Sequence, residues 1–190
     1  MDPTYLGQPV PTPTAQKPAG LISKKAFLIV LVLLAAVAAG AFMLLGSGDK
    51  SGTLQQQMSA RQATTQRIIE DGQKNISSDE LSKLNSELRL VLIGDTNVLR
   101  GALATAGMKK IEKSITTAEA DTASFDTLKD AKLNAKYDAT YRNVLTQKLE
   151  SLRALTTELH DETKSKPLKA ALEAQYAHLT IYLNALAESS

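Results

Sequence analysis

The chain has 190 residues, carries a formal net charge of +2 and contains no cysteine. Without cysteine it has no disulfide framework, thiolate chemistry or Cys-ligated zinc site, and two histidines are too few for a His-rich metal site. The excess positive charge lies in residues 1–45, and the remainder of the chain is neutral. We therefore expect no nucleic-acid partner, since such binding needs a basic face that displaces counterions.

Residues 1–25 contain five of the six prolines. Pro9, Pro11 and Pro13 alternate, a pattern that blocks helix and favours extended polyproline II. The pattern predicts a disordered, Pro-rich cytoplasmic tail. A docking peptide is the alternative, but the tail has no P-x-x-P spacing.

Residues 26–45 read AFLIVLVLLAAVAAGAFMLL and contain no charge. A helix of this length spans about 30 Å, the thickness of the hydrocarbon core of a bilayer. The segment predicts a single transmembrane helix, with the lipid bilayer as its partner. Nothing else in the chain is apolar enough to surround such a helix in a soluble core.

Lys24 and Lys25 flank the N-terminal edge of the apolar segment. By the positive-inside rule they predict a cytoplasmic N-terminus and a C-terminal domain outside the cell membrane. Cleavage by a signal peptidase near residues 37–41 is an alternative, and a prepilin-type junction is a weaker one. The small-xxx-small pair Ala36 and Gly40 leaves homo-oligomerisation open.

A glycine-rich stretch, residues 46–52, predicts a flexible linker, and helical signals dominate the rest. Apolar residues recur at spacings of three and four, and residues 108–166 contain neither Gly nor Pro. The fold class is therefore all-α: the transmembrane helix is followed by an antiparallel four- (or five-) helix bundle over residues 53–190. The predicted long helices are 53–71, 77–106, 137–163 and 167–188, with 108–136 as a helical crossover or a fifth helix.

Local signals set the expected helix ends. Gly72 is the expected stop of the first helix, and Ser77 with Glu80 has the spacing of a capping box. The apolar stripe of the second helix, which includes Val98, keeps its phase across residues 94–97. We interpret that interruption as a kink and expect Gly107 to close the helix.

Five residues on the last two helices form a candidate interaction surface. They are Tyr137, Tyr141, Tyr176, Tyr182 and His178. Tyrosine presents an apolar body with a polar tip, which suits a binding surface. The alternative is that the rings fill the core of the bundle and that His178 caps its edge.

Two polar features invite other interpretations. Asp95 could pair with Arg61 or mark a pocket, but a solvated kink is simpler. His160 lies beside Glu158 and Glu162, yet a rotation of 100° per residue points it away from both carboxylates. We therefore expect a surface cluster there rather than a metal site.

The sequence contains no phosphate-binding loop, H-E-x-x-H, G-x-S-x-G or EF-hand motif. We expect no catalytic residue, cofactor or metal. The expected function is a membrane-anchored, non-catalytic interaction or scaffold module of the cell envelope, with a protein partner in the membrane or envelope. The alternative is an extracytoplasmic ligand-sensing domain that signals through a partner protein.

Overall fold

The computed structural model describes residues 50–189, which form six α-helices and contain no strand. The helices are α1 Lys50–Asn75, α2 Asp79–Thr105, α3 Lys113–Ala118, α4 Thr122–Leu133, α5 Tyr137–Glu162 and α6 Lys166–Glu188. The all-α class and the helical bundle are confirmed for this part of the chain. The predicted tail 1–25, the apolar helix 26–45 and Lys24 and Lys25 lie outside the described residues. No helix within residues 50–189 is both long and apolar enough to cross a membrane.

The four long helices pack in a ring in the order α1, α2, α6, α5, so that each contacts two neighbours. Short loops make the pairs α1/α2 and α5/α6 antiparallel. The pair α1/α5 is antiparallel too, because Lys50 lies 2.6 Å from Glu162 at one end and the Tyr137 hydroxyl donates to Asp71 at the other. One continuous apolar cluster, mainly leucine, fills the ring.

The segment between α2 and α5 is a crossover and not a fifth long helix. It returns the chain from one end of the bundle to the other, and it contains the short helices α3 and α4. Helix α3 packs on α1, and α4 packs on α5. The crossover therefore covers the outer side of the α1/α5 pair. Leu133 ends α4 with 78% of its surface exposed.

The predicted stop at Gly72 is wrong, since α1 continues to Asn75. A Cβ at Gly72 would overlap the ring of Tyr141. The glycine therefore makes room for a side chain of α5 and does not end the helix. The predicted cap is off by one residue, because Ser78 is the N-cap of α2 and its hydroxyl accepts from the Leu81 amide.

Other helix ends follow the sequence more closely. Gly107 has φ +86°, and the Met108 amide donates to the Leu103 carbonyl at 3.0 Å, which confirms the predicted end of α2. Helix α2 is unbroken across residues 94–97. Helix α1 begins at Lys50, so residues 50–52 of the predicted linker form its first turn.

Candidate interaction surface

Tyr137 and Tyr141 belong to the core. Their rings stack with centroids 5.8 Å apart, and Tyr141 is fully buried. The Tyr141 hydroxyl donates to the Asn85 side chain, whose amide donates to the Ile69 carbonyl at 3.1 Å. Burial raises the pKa of both tyrosines, and the hydrogen bond to Asp71 raises the pKa of Tyr137 further. Neither ring is available to a partner, as the core-filling alternative anticipated.

The other three residues of the candidate surface lie at the periphery of α6. Tyr176 is 44% exposed, and the Arg153 guanidinium carbon lies over its ring, 5.8 Å from the ring centroid. Tyr182 is partly buried, and burial raises its pKa, with smaller contributions from Glu87 and Asp95. A role of these residues in binding stays a prediction.

His178 joins α6 to α2 through a side-chain contact with Asp95 that sequence reasoning missed. Its Nδ1 lies 2.9 and 3.1 Å from the two carboxylate oxygens of Asp95. Asp95 is buried, and this burial raises its pKa, while the hydrogen bond to His178 partly offsets the rise. The predicted solvated kink at Asp95 is therefore wrong. Arg61, which was the alternative partner predicted for Asp95, makes a different contact.

Arg61 ties α1 to the crossover. Its Nε and Nη2 donate to the two carboxylate oxygens of Glu119 at 2.8 and 2.6 Å. Its Nη1 donates to the Ser151 hydroxyl of α5 at 3.0 Å. Both members of the pair are largely buried, so this bidentate contact fixes α1, α5 and the crossover together.

Further contacts hold the crossover on the α1/α5 pair. Lys148 lies 2.5 Å from Asp121, and the Arg67 guanidinium sits 4.7 Å above the ring of Phe125. Leu128 of α4 is buried against the bundle. This outer side of the bundle is thus occupied by the chain itself.

The His160 cluster is a surface feature. His160 Nε2 lies 3.1 Å from Glu173 and its Nδ1 lies 3.3 Å from Asp161. Glu158 and Glu162 instead face Lys50, whose pKa their carboxylates raise. Among residues 50–189, no group of three or more His, Asp or Glu side chains is arranged to hold a metal ion.

An open cleft of about 400 Å³ lies where α1 begins beside the α5–α6 loop. Its walls are mainly polar, and it opens to solvent at an end of the bundle. Its lining residues include Lys50, Gln55, Glu162 and Thr163. The cleft therefore offers a shallow polar recess rather than an enclosed apolar site.

Among residues 50–189, nothing covers the side of the bundle formed by α2 and α6 in this way. Within that range the large exposed apolar residues are Leu90, Ile93 and Val98 on α2, Tyr176 and Ile181 on α6, and Leu133 on α4. Residues 90, 94, 98 and 101 share one side of α2 by helical spacing, as do residues 174 and 181 on α6. We call Leu90, Gly94, Val98, Gly101, Ala174 and Ile181 the α2/α6 face. All six are exposed and none is charged, and the same side of the two helices continues toward one end of the bundle as the charged residues Lys83, Glu87 and Glu188.

The α2/α6 face exposes three large apolar side chains to which a partner helix could bind. Leu90, Val98 and Ile181 have 60–67% of their surface exposed. A Cβ placed on Gly94 or Gly101 meets no atom within 4 Å, so packing inside the chain does not require glycine at either position. Exposed apolar groups with small neighbours on packed helices are typical of an interaction surface.

Comparisons of the chain with family models, with curated proteins and with solved structures found no match. The geometry of the described residues is therefore the basis of the functional argument.

Proposed function

We propose that this chain is a single-pass membrane protein whose helical bundle acts as a non-catalytic interaction or scaffold module of the cell envelope. The observation that carries the interaction role is the uncharged, exposed α2/α6 face. Soluble surfaces that expose several large apolar residues together commonly bind another protein. The uncharged segment 26–45 supports the membrane anchor, and Lys24 and Lys25 support an N-terminus in the cytoplasm.

The contrast with the opposite side of the bundle supports this assignment of the surface. There the crossover buries Leu128 and Ile115 and adds polar contacts such as Arg61 with Glu119. A bundle of this kind gains stability from covering its apolar side, since each buried Å² contributes about 25 cal/mol. A partner that covers the α2/α6 face would gain the same contribution on binding.

Photo-crosslinking in cells tests the interaction role. A photoreactive residue replaces Leu90 on the α2/α6 face in the full chain, and the matched control replaces Leu133, which is equally apolar and 78% exposed. We expect adducts of higher mass from position 90 and few from position 133. Equal labelling at the two positions, or none at position 90, would contradict a role for this face.

Protease treatment of intact cells tests the anchor and its orientation. The full chain carries a C-terminal tag, and the tag signal is followed before and after treatment. We expect a full-length band that loses the tag when protease is added outside. A protected tag would place the bundle in the cytoplasm, and a band shortened by about 40 residues before treatment would indicate a cleaved signal peptide.

A further inference from the structure

The register of α2 against α6 places their charged residues at matching levels. The Asp95–His178 contact fixes one level, and the two helices are antiparallel. Arg100 lies five residues after Asp95, and Glu173 lies five residues before His178. With a rise of 1.5 Å per residue, both lie about 7.5 Å toward the same end of the bundle.

Arg100 and Glu173 lie on the outer flanks of the pair, one on each helix. Arg100 follows Thr96 by one turn, and Thr96 accepts a hydrogen bond from Gln66 of α1, so this flank of α2 is turned away from α6. Glu173 contacts His160 of α5, so its flank of α6 is turned away from α2. Glu173 has 68% of its side chain exposed, and Arg100 makes no ion pair with the described residues.

A two-fold axis parallel to the bundle brings these opposite charges together. Such an axis stacks α2 of one copy on α6 of the other, so Arg100 lies on the same flank and at the same level as Glu173 of the second copy. The contact occurs twice by symmetry. Near the other end of the bundle, Glu188 of the second copy lies midway between the levels of Lys83 and Glu87, so its attraction to the lysine and its repulsion from the glutamate offset each other.

The other two-fold arrangement is electrostatically unfavourable. An axis across the bundle stacks α2 on α2 of the second copy in the antiparallel direction. With the axis at the level of Gly94, that arrangement places Arg100 within about one residue of the level of Arg89 of the second copy, on the same flank. Like charges this close oppose association in that register, so charge complementarity favours the parallel axis.

The uncharged residues fit the same arrangement. In the parallel two-fold dimer, Ala174 of the second copy lies between the levels of Val98 and Gly101, where the small residues allow close approach of the helices. Ile181 of the second copy lies between the levels of Leu90 and Gly94, so the glycine leaves room on one side of the larger side chain. A glycine inside a helix costs about 1 kcal/mol relative to alanine, and the monomer gives no packing reason for it at either position.

We propose that the partner of the α2/α6 face is a second copy of this chain, bound about a two-fold axis parallel to the bundle so that α2 of each copy packs on α6 of the other. This inference rests on the proposed interaction role of that face. Both copies then begin α1 at the same end of the dimer, as two chains anchored in one membrane require.

Cysteine crosslinking tests the arrangement, because the chain has no cysteine of its own. Full-length Gly101→Cys and Ala174→Cys chains are mixed in detergent, allowed to exchange and oxidised. We expect the mixture to form disulfide dimers at least about fivefold more readily than either variant alone, since the proximity rule for disulfides is strict. Dimers from Gly94→Cys alone would indicate the antiparallel axis and overturn the proposal, as would no crosslink in the mixture.

Charge exchange provides a second test that does not depend on cysteine geometry. Arg100→Glu and Glu173→Arg are each expected to raise the dimer dissociation constant of the full chain about tenfold or more, as like charges at an interface do. The double variant should return to within about threefold of the original value. The control is Lys129→Glu on α4, which should leave the constant unchanged. A double variant as weak as either single one would overturn the pairing.

The outcomes separate this inference from the proposed function. Adducts at position 90 with another protein, together with no crosslink between positions 101 and 174, would retain the interaction module and reject the second copy. Adducts of twice the chain mass, together with the crosslink, would support both.

Discussion

The two sides of this bundle differ in what covers their apolar residues. The α1/α5 side is covered by the crossover, which adds the Arg61–Glu119 pair and buries Leu128 of α4. The α2/α6 side leaves Leu90 and Ile181 exposed. Both sides carry apolar residues, but within residues 50–189 only the α1/α5 side is covered. The difference teaches that exposure on α2 and α6 is local to one side and does not reflect a loosely packed bundle.

Glycine shows the same contrast. Gly72 of α1 leaves space that the ring of Tyr141 fills, whereas Gly94 and Gly101 of α2 face open space. A glycine in a helix lowers stability unless something uses the space it leaves. On the covered side the ring of Tyr141 uses the space beside the glycine. On the α2/α6 side none of the described residues uses it.

The largest expected effect is on the covered side. Replacing Arg61 by methionine leaves the Glu119 carboxylate, which has 13% of its side chain exposed, without its partner. We expect the free energy of unfolding to fall by about 3 kcal/mol, measured by urea denaturation of the full chain. Arg100→Met is the control on the open side, and below the dimer dissociation constant it should change the value by less than about 0.5 kcal/mol. Equal losses would remove the contrast between the two sides.

The next effect comes from Gly72→Ala. The added methyl group would overlap the Tyr141 ring, so either α1 or α5 must shift. We expect a loss of about 2 kcal/mol in the free energy of unfolding, since overpacking outweighs the gain in helix propensity. An unchanged or higher stability would show that the ring of Tyr141 can move without cost.

The same substitution should have the opposite sign on α2. Gly94→Ala and Gly101→Ala place a methyl group in open space within a helix. Each should raise the free energy of unfolding of the monomer by about 1 kcal/mol. The measurement is urea denaturation at a protein concentration below the dimer dissociation constant. A loss at either position would indicate a hidden contact on this side.

The smallest effect concerns the pH dependence that Asp95 adds to the α2/α6 pair. Burial raises the pKa of Asp95 above 3.8, so the native state binds a proton more tightly than the unfolded state does. This carboxyl therefore lowers stability as pH rises from about 3.8 through its raised pKa, and the loss is constant above that range. The groups facing it are His178 and Tyr182.

Asp95→Asn should remove that decline and flatten the stability profile between pH 3.5 and neutrality. Denaturation at a series of pH values checks the slope. Glu150→Gln on the exposed side of α5 is the control and should leave it unchanged. A steeper decline in the Asp95 variant would mean that the bond to His178 outweighs burial.

The helices and the core were largely predictable from local patterns. The leucine stripes of α5 and α6 are buried as their spacing indicates, and Gly107 ends α2 with a positive φ. Tyr137 and Tyr141 continue the stripe that Leu145 and Leu149 extend, so their phase already indicated burial. Local spacing identifies these features because it depends only on residues within a few turns.

The contacts that organise the two sides were not predictable in this way. Asp95 and His178 are 83 residues apart, and Arg61 and Glu119 are 58 residues apart. Which helices become neighbours depends on the path of the crossover, and a single stripe cannot specify it. Val98 was predicted as part of the apolar stripe of α2, yet 61% of its surface is exposed, because its helical phase places it on the outer side with Gly94 and Gly101.

The crossover also decides where the chain ends. In a simple up-and-down four-helix bundle the first and last helices would return the chain to the end at which it started. Here the crossover makes α5 run in the same direction as α2, so Lys50 and Glu188 lie at opposite ends. The last helix alone spans about 35 Å. The bundle therefore places the end of α6 about 35 Å from the end at which α1 begins.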